Sequence, residues 1–254
     1  MNTRSKSHVS SKSVALDYSQ KISVVIPVLN DNHLLAVLLK QLQYLRLQGH
    51  EIIVVDGGSN NECLSSVVGS DYLSLIDFLL ESSPGRARQM NLGAAKASGR
   101  LLWFLHADSN FSSDLLQELS LFAIDSSLTG QHWGWFDVQL TGKARTFRVI
   151  ERMMNWRARL TRIATGDQGL FVDKSLFDAA GKFPEIALME DIALTKKLKK
   201  LQSPVRLKSL LLTSSRRWEK QGIWRTVLLM WGLRLAYALG TSPEILARRY
   251  RHSR

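Results

Sequence analysis

The residues best suited to chemistry are acids that follow abruptly on apolar runs. Leu101–Leu105 (LLWFL) leads straight into His106-Ala107-Asp108, and Ile22–Val28 (ISVVIPV) into Leu29-Asn30-Asp31. Glu51–Val55 (EIIVV) breaks at Asp56-Gly57-Gly58-Ser59. A carboxylate at such a point can hold a divalent cation, and the cation in turn a phosphate. Asp108 could equally cap the helix suggested by Ser112–Leu121, and the two readings stand side by side. Glu190-Asp191 opens an apolar helical pattern (Ile192, Ala193, Leu194, Leu198), where acids are ordinarily dipole partners or caps. Gly166-Asp167-Gln168-Gly169 offers a carboxylate and an amide suited to sugar hydroxyls, although turn formation explains Gly-Asp as well. Arg86, Arg88 and Gln89 stand near the start of a helix, where free N–H groups and the dipole favour anions; a solvated basic turn is the alternative.

These side chains need a scaffold. Apolar runs without alternation suit strands buried on both faces, as in a parallel sheet covered by helices. Between the first two runs, Leu34, Leu35, Leu38, Leu39 and Leu42 repeat at helical spacing, which makes a βαβ unit with a right-handed crossover. Pro84–Gly99 reads as a turn and then a small-residue helix, whose Ala94, Ala95 and Ala97 permit close packing on the sheet. Ligands of open α/β sheets collect outside the carboxyl ends of the strands, where Asp31, Asp56 and Asp108 all fall.

The 254 residues suffice for one α/β core with a helical extension. A hydrophobic content of 45% and a charged content of 22% are those of an ordinary globular protein. The single Cys63 excludes an internal disulfide and points to no oxidising compartment. A net charge of +12 implies an anionic partner: nucleotide, nucleic acid or an acidic membrane surface. Residues 1–20, with Arg4, Lys6, Lys12 and several serines, read as a disordered basic tail, an organelle transit peptide being the alternative. They lack the apolar core of a secretory signal, and no run of about 18–20 apolar residues suggests a spanning helix. The expectation is a cytoplasmic protein.

Two later stretches bear on a membrane. Lys143–Arg162 places Phe147, Ile150 and Met154 on one helical face and Arg148, Arg152 and Arg159 on another. It reads either as a core-packing helix with a solvated basic face or as a membrane-surface element. Ile223–Leu239 carries a stripe of Trp224, Val227, Leu228, Trp231, Leu235 and Ala238, interrupted by Arg225 and Arg234. With the arginine-rich C-terminus it could dock on anionic lipid at the inner membrane surface.

Taken in order, these pieces resemble the family-2 glycosyltransferases of the GT-A fold. The matching residues are Ile26-Pro27-Val28-Leu29-Asn30-Asp31, Val55-Asp56-Gly57-Gly58-Ser59, Gly85–Ala94 and Leu105-His106-Ala107-Asp108-Ser109. Thr165-Gly166-Asp167-Gln168, Met189–Leu194 and Ser215-Arg216-Arg217-Trp218 complete the set. The chain is most similar to a subfamily known as the radical-SAM/selenodomain-associated transferases 2, from about Ile22 to Tyr250.

The resemblance implies an α/β, GT-A-like fold: a mostly parallel sheet flanked by helices, with a C-terminal helical extension. The expected division is a tail over 1–20, the transferase domain over 21–215 and the extension over 216–254. It implies transfer of a sugar from a nucleotide-diphosphate donor, UDP-sugars foremost, to an acceptor hydroxyl or carboxylate with inversion. Pro27, Asn30, Asp31, Asp56 and Arg86 would bind the nucleotide. Asp31 stands where the family usually has Glu, and Gly57 where many relatives carry a second Asp. Asp108 matches the last acid of the family's D-x-D motif, which holds Mg²⁺ or Mn²⁺; His106 replaces the first acid and suits Mn²⁺ as a metal ligand, or is a hydrogen-bonding spectator. Asp191 would be the base that deprotonates the acceptor, with Glu190 orienting it. Gly166, Asp167, Gln168, Arg217 and Trp218 would face donor sugar or acceptor, Trp218 having a half-buried structural role as its alternative. The acceptor is open, with a lipid or terpenoid among the possibilities.

Two rival functions fit less well. A nucleotidyltransferase should carry a basic nucleotide-binding loop after the first strand, but Pro27–Asp31 has no glycine or lysine. A nucleic-acid binder would explain the +12 charge, yet acids at successive strand ends would repel a phosphate backbone.

Overall fold

The computed structural model describes residues 20–59 and 73–252; Cys63 and, except for Gln20, the expected basic tail lie outside the described residues. Seven strands make one sheet: β1 (Ile22–Val28), β2 (Glu51–Asp56), β3 (Phe78–Glu81), β4 (Leu101–Phe104), β5 (Trp133–Leu140), β6 (Phe171–Asp173) and β7 (Val205–Thr213). Their spatial order is β3-β2-β1-β4-β6-β5-β7. Only β6 runs against its neighbours, β4 and β5; every other pairing is parallel.

The side-chain period of two explains why the runs in β1, β2 and β4 do not alternate in polarity. Val24, Ile26, Ile52, Val54, Leu101 and Trp103 enter one core. There they meet α1 (Asn32–Leu47) through Leu35, Leu38, Leu39 and Leu42, and α3 (Ser113–Thr129) through Leu115, Leu116 and Leu119. Val25, Ile53, Val55, Leu102 and Phe104 enter the other core. That side is covered by α2 (Arg86–Lys96), α5 (Lys174–Ala179) and α6 (Glu190–Leu201). Helix α2 lies so close to β1 that a Cβ on Gly93 would sit 2.4 Å from a Val25 methyl carbon, so only glycine fits.

The far half of the sheet is held by side chains as much as by strand pairing. The β5–β7 ladder slips between Phe136 and Asp137, leaving Lys208 and Ser209 of β7 unpaired. Glu118 of α3 accepts both of their N–H groups, at 2.9 and 2.8 Å. Beyond Gly134, β5 has no partner strand on its β6 side among the described residues, and α4 (Arg145–Thr161) takes that place. Asn155 accepts from Val138 N–H and donates to Val138 C=O, both at 2.9 Å. Glu151 accepts from Leu140 N–H, and Arg148 donates to Leu140 C=O at 2.7 Å. Arg159, together with Arg206, neutralises Asp137. Arg148 and Arg159 therefore bind β5 and do not belong to a freely solvated basic face.

The C-terminal helices α7 (Arg216–Gln221), α8 (Ile223–Ala238) and α9 (Pro243–His252) pack onto this body. Leu233 of α8 and Leu246 of α9 share an apolar cluster with Met189 and Ile192 at the start of α6. Ile223 and Val227 of α8 join Phe147, Ile150 and Met154 of α4. Facing outward, α4 exposes Val149, Met153, Trp156 and Leu160, and α8 exposes Trp224, Leu228, Trp231 and Leu235, with Leu239 just past its end. Both sets recur at helical spacing, so each is a stripe. Val227, expected in the second stripe, turns inward. No helix among the described residues is long and apolar enough to cross a membrane.

Candidate active site

The chain leaves β1 towards β2 on one side and reaches β4 on the other, so the crevice outside β1 and β4 is the switch point of the sheet. The loops after β1 and β2 are fastened there by one buried side chain. Gln89, in the first turns of α2, donates from Nε2 to Val28 C=O and to Val55 C=O, both at 2.8 Å. Pro27 lies in β1 opposite Val55. Asn30, with φ of 60°, donates its N–H to Ser59 Oγ at 3.0 Å. Ser59 in turn donates its hydroxyl to the buried Asp56 at 2.7 Å and its N–H at 3.2 Å. A ligand at Asp56 must share or displace Ser59. Asp31 is half-exposed and paired with Arg216 of α7 at 3.4 Å.

Asp108 follows β4. Burial raises its carboxyl above the usual range; the charges of Asp167 and Asp31 add to the rise, and His106 and Arg86 oppose it. Three carboxylates thus lie within electrostatic reach at the mouth of the crevice. His106 donates from Nδ1 to Asp167 at 3.3 Å. Burial works against the Asp167 charge, but the His106 hydrogen bond, with the charges of His106, Arg86 and Arg234, holds its carboxyl down to about 2. His106 Nε2 is buried and unpartnered among the described residues. It faces Gly166, where a Cβ would come within 2.7 Å of it.

The turn Gly166–Gln168 connects this group to the start of α6. Gly166 N–H donates to one Asp191 oxygen at 2.8 Å, and Ile192 N–H to the other at 2.7 Å. The left-handed Met189, with φ of 72°, introduces the helix. Glu190 is buried, and burial followed by the Asp191 charge raises its carboxyl, with Arg86 at 4.0 Å counteracting. A small pocket brings Glu190 and Asp191 together with Arg86, His106 and Gly166, backed by Met90 and Phe104.

Other expected residues sit differently. Gln168 is wholly buried, its Oε1 accepting from Thr165 N–H at 3.1 Å and Thr165 hydroxyl at 3.2 Å. It holds the turn, which leaves Gly166 and Asp167 to face the site. Trp218 is half-buried against the Leu140, Phe147 and Ile150 cluster, in line with its structural alternative. The side chain of Arg217 lies outside the described residues.

The structure adds groups that sequence patterns did not single out. Arg157 of α4 donates to Ile163 C=O at 3.2 Å and reaches Gln168 Oε1 at 3.5 Å. Burial, then the charge of Arg234, brings its guanidinium down to about 10, with Asp191 and Asp167 opposing. Arg234 of α8 is likewise lowered by burial and supported by Asp191 and Asp167. Tyr237, one turn on, is raised by burial and by the Asp191 charge. The sequence hint for Arg234 was a charge inside an apolar helix; Arg157 had none beyond its basic surroundings.

Among the described residues no group of three or more His, Cys, Asp or Glu side chains converges on one point. Asp108 feels the charges of Asp167 and Asp31, all three carboxylates, though they do not converge on one point. That set fits Mg²⁺ or Mn²⁺ held by one or two carboxylates and completed by phosphate oxygens and water. His106 fits less well as a ligand, because Nδ1 is committed to Asp167 and Nε2 faces Gly166.

Comparison with known proteins agrees with this geometry. The family described as Glycosyl transferase family 2 matches residues 23–176. An uncharacterised glycosyltransferase of Mycobacterium tuberculosis is 32% identical over 126 residues, covering 49% of this chain and 48% of its own length. One from Rickettsia conorii is 26% identical over 125 residues, covering 48% of this chain and 20% of its own. The chain thus spans about half the length of the first relative and less of the second. Among solved structures, S. aureus TarS 1-349 in complex with UDP-GlcNAc superposes with a TM-score of 0.62 at 18% identity, over 76% of this chain and 58% of that one. The mannosyltransferase PcManGT from Pyrobaculum calidifontis, in complex with GDP-Man and Mn²⁺, gives 0.58 at 16% identity, over 92% and 69%. These two share the fold, a GT-A sheet. By the match over most of its sheet, from β1 through β6, the chain belongs to glycosyl transferase family 2.

Proposed function

We propose that this protein transfers a sugar from a nucleotide-diphosphate donor to an acceptor hydroxyl or carboxylate, with inversion at the anomeric carbon. The observation that carries the reading is Asp191, fixed by the Gly166 N–H in a pocket with Glu190, Arg86 and His106, the last from the loop after β4 that also carries Asp108. Pro27, Asn30, Asp31 and Asp56 form the rim on which nucleobase and ribose rest, since carboxylates accept from ring N–H and ribose hydroxyls. Arg86 and the free N–H groups of α2 receive the diphosphate. Relatives of the fold captured with UDP-GlcNAc or GDP-Man support a nucleotide-sugar donor, and UDP-sugars come first.

The acceptor oxygen passes its proton to Asp191 as it attacks the anomeric carbon. The bond from that carbon to the diphosphate breaks, and its electron pair leaves on the diphosphate oxygen. Arg86 and Arg234 are the cations near the developing charges. Where the acceptor is a carboxylate, no proton moves and no base is required. Glu190, whose carboxyl burial and the Asp191 charge raise, orients the acceptor or sugar. Asp108, with Asp167, would hold Mg²⁺ or Mn²⁺, which when bound neutralises charge on the leaving diphosphate.

The motif order also supports membership of the radical-SAM/selenodomain-associated transferases 2. Residues 21–215 would then be the transferase body and 216–254 an extension that walls the acceptor side. A lipid or terpenoid acceptor, met at the cytoplasmic face of a membrane, completes the reading. Calorimetry with UDP-GlcNAc and GDP-mannose, with and without Mn²⁺, tests it. Binding of a nucleotide sugar that strengthens with metal is expected; no binding of either overturns the reading.

A further inference from the structure

Helices α4 and α8 each face two ways. Inward, Arg157 of α4 reaches the turn at Gln168, and Arg234 and Tyr237 of α8 approach Asp191. Outward, Trp156 and Leu160 of α4 are 66% and 68% exposed, and Trp224, Trp231 and Leu235 of α8 are 68%, 57% and 63% exposed. Eight of the twenty exposed large apolar side chains among the described residues lie on these helices of 17 and 16 residues. Isolated exposed leucines are normal, but stripes on two adjoining helices mark an interaction surface.

The surrounding charge selects the partner. Helix α8 contains no acid, and the one acid of α4, Glu151, is buried against Leu140 N–H and Arg148. Arg145, Arg152, Arg162 and Arg225 are exposed around the stripes. A second copy of the chain would bring two such basic rims together. An anionic plane would satisfy them, and tryptophan favours the boundary between headgroups and acyl chains. No described helix can span a bilayer, so contact is at the surface.

We infer that the α4/α8 face seats on an anionic bilayer, tryptophans and leucines in the headgroup layer and arginines among the lipid phosphates. The consequence for catalysis rests on the sugar-transfer reading: the helices that touch the leaflet also wall Asp191, so a lipid-borne acceptor reaches the base without crossing water.

The test uses the full chain, vesicles of phosphatidylcholine alone, and vesicles of phosphatidylcholine with phosphatidylglycerol. Sedimentation should show binding at least about tenfold stronger to the anionic vesicles, with tryptophan emission shifting to the blue. Raising salt from 0.1 M towards 1 M shortens the screening length from about 10 Å to about 3 Å and should release the protein. The double variant Trp156→Ala, Trp231→Ala should lose about tenfold or more in partitioning while keeping its far-UV circular dichroism and nucleotide-sugar binding. The inference is overturned by equal binding to neutral vesicles, by no vesicle binding, or by a variant that partitions like the parent. A dimer in solution that the variant dissolves, with no vesicle binding, assigns the face to a second copy and overturns it too. Vesicle binding without binding of any nucleotide sugar would overturn the transfer reading and leave the docking face standing.

Discussion

One half of the site is carried by strands and the other by helices, and the two are built differently. Asp56 ends β2, and Asp31 and Asp108 lie in the loops just after β1 and β4, three adjacent parallel strands whose register, with Pro27 opposite Val55 and Val25 opposite Phe104, sets where those loops begin. Asp191, Arg157 and Arg234 come from α6, α4 and α8, and their relation depends on side-chain packing between helices far apart in sequence. In the strand half, the loops that carry the acids start from the ladder, and those after β1 and β2 are tied together by Gln89. In the helix half, position is fixed by single contacts such as Gly166 N–H to Asp191, so a single substitution there can separate chemistry from binding.

The largest effect should come from the helix half. Asp191→Asn keeps the shape and the Gly166 hydrogen bond but takes up no proton. Transfer to a hydroxyl acceptor should fall by about 10²–10⁴-fold with donor affinity little changed. Rates at saturating donor, with donor affinity by calorimetry, check this. Glu190→Gln should be milder. If Glu190→Gln is dead and Asp191→Asn active, the roles are exchanged; if both stay active, the base assignment fails.

In the strand half, Asp108→Asn should weaken metal-assisted donor binding by about 10²-fold and, unlike Asp191→Asn, act on affinity. It should also stabilise the free protein. Because burial raises the Asp108 carboxyl in the folded state, folding takes up protons there, and stability falls as pH rises through the window above the unfolded carboxyl value. Removing the charge should raise Tm at pH 7, with the gain fading as pH falls into the ordinary carboxyl range. Asp167 has the opposite sign: its lowered carboxyl, about 2, contributes stability above the ordinary carboxyl range that is lost as pH falls through it. Scanning calorimetry across pH resolves the two.

How far each half was legible follows from the same contrast. Strands β1, β2 and β4 are covered on both faces, so each appears as an unbroken apolar run ending in its acid. By comparison, β7 alternates buried and exposed residues and bulges at Lys208-Ser209, and β5 contains Gly134, Asp137 and Gln139. Neither shows the apolar run that identified the others. Strand β6 is three residues long and runs opposite to the rest. On helices, charge alone does not reveal its partner. Arg148 and Arg159 looked solvated and are bound to β5, whereas Arg157, between them, reaches the site.

A prediction of intermediate size concerns the fastening between the halves of the strand edge. Gln89→Leu removes the side-chain donor shared by Val28 C=O and Val55 C=O in a dry place, leaving Val28 C=O with the Gly57 N–H. The loss should be about 1–3 kcal/mol of stability, read from urea unfolding. Because the loops carrying Asn30, Asp31, Asp56 and Ser59 lose their common anchor, donor affinity should fall together with stability. If only stability falls, Gln89 is a packing residue and the loops are held by Ser59.

The smallest effect should be at the point where α7 leans over the strand edge. Arg216 pairs with Asp31 at 3.4 Å, and both side chains are about half exposed, at 48% and 44%. An exposed pair of this kind contributes about 0.2–1 kcal/mol, and salt screens it. Arg216→Ala should therefore leave the urea midpoint nearly unchanged. Its effect on the donor depends on which partner Asp31 serves. If the nucleotide takes over Asp31, the arginine competes for the same carboxylate, and its removal should strengthen donor binding by about twofold, less in high salt. If Arg216 instead follows the diphosphate once Asp31 is occupied, its removal should weaken binding about threefold, with the same salt dependence. We expect the first outcome, because Arg86 and the N-terminus of α2 already supply cationic character to the diphosphate, whereas the Asp31 carboxylate is engaged by Arg216 in the free protein.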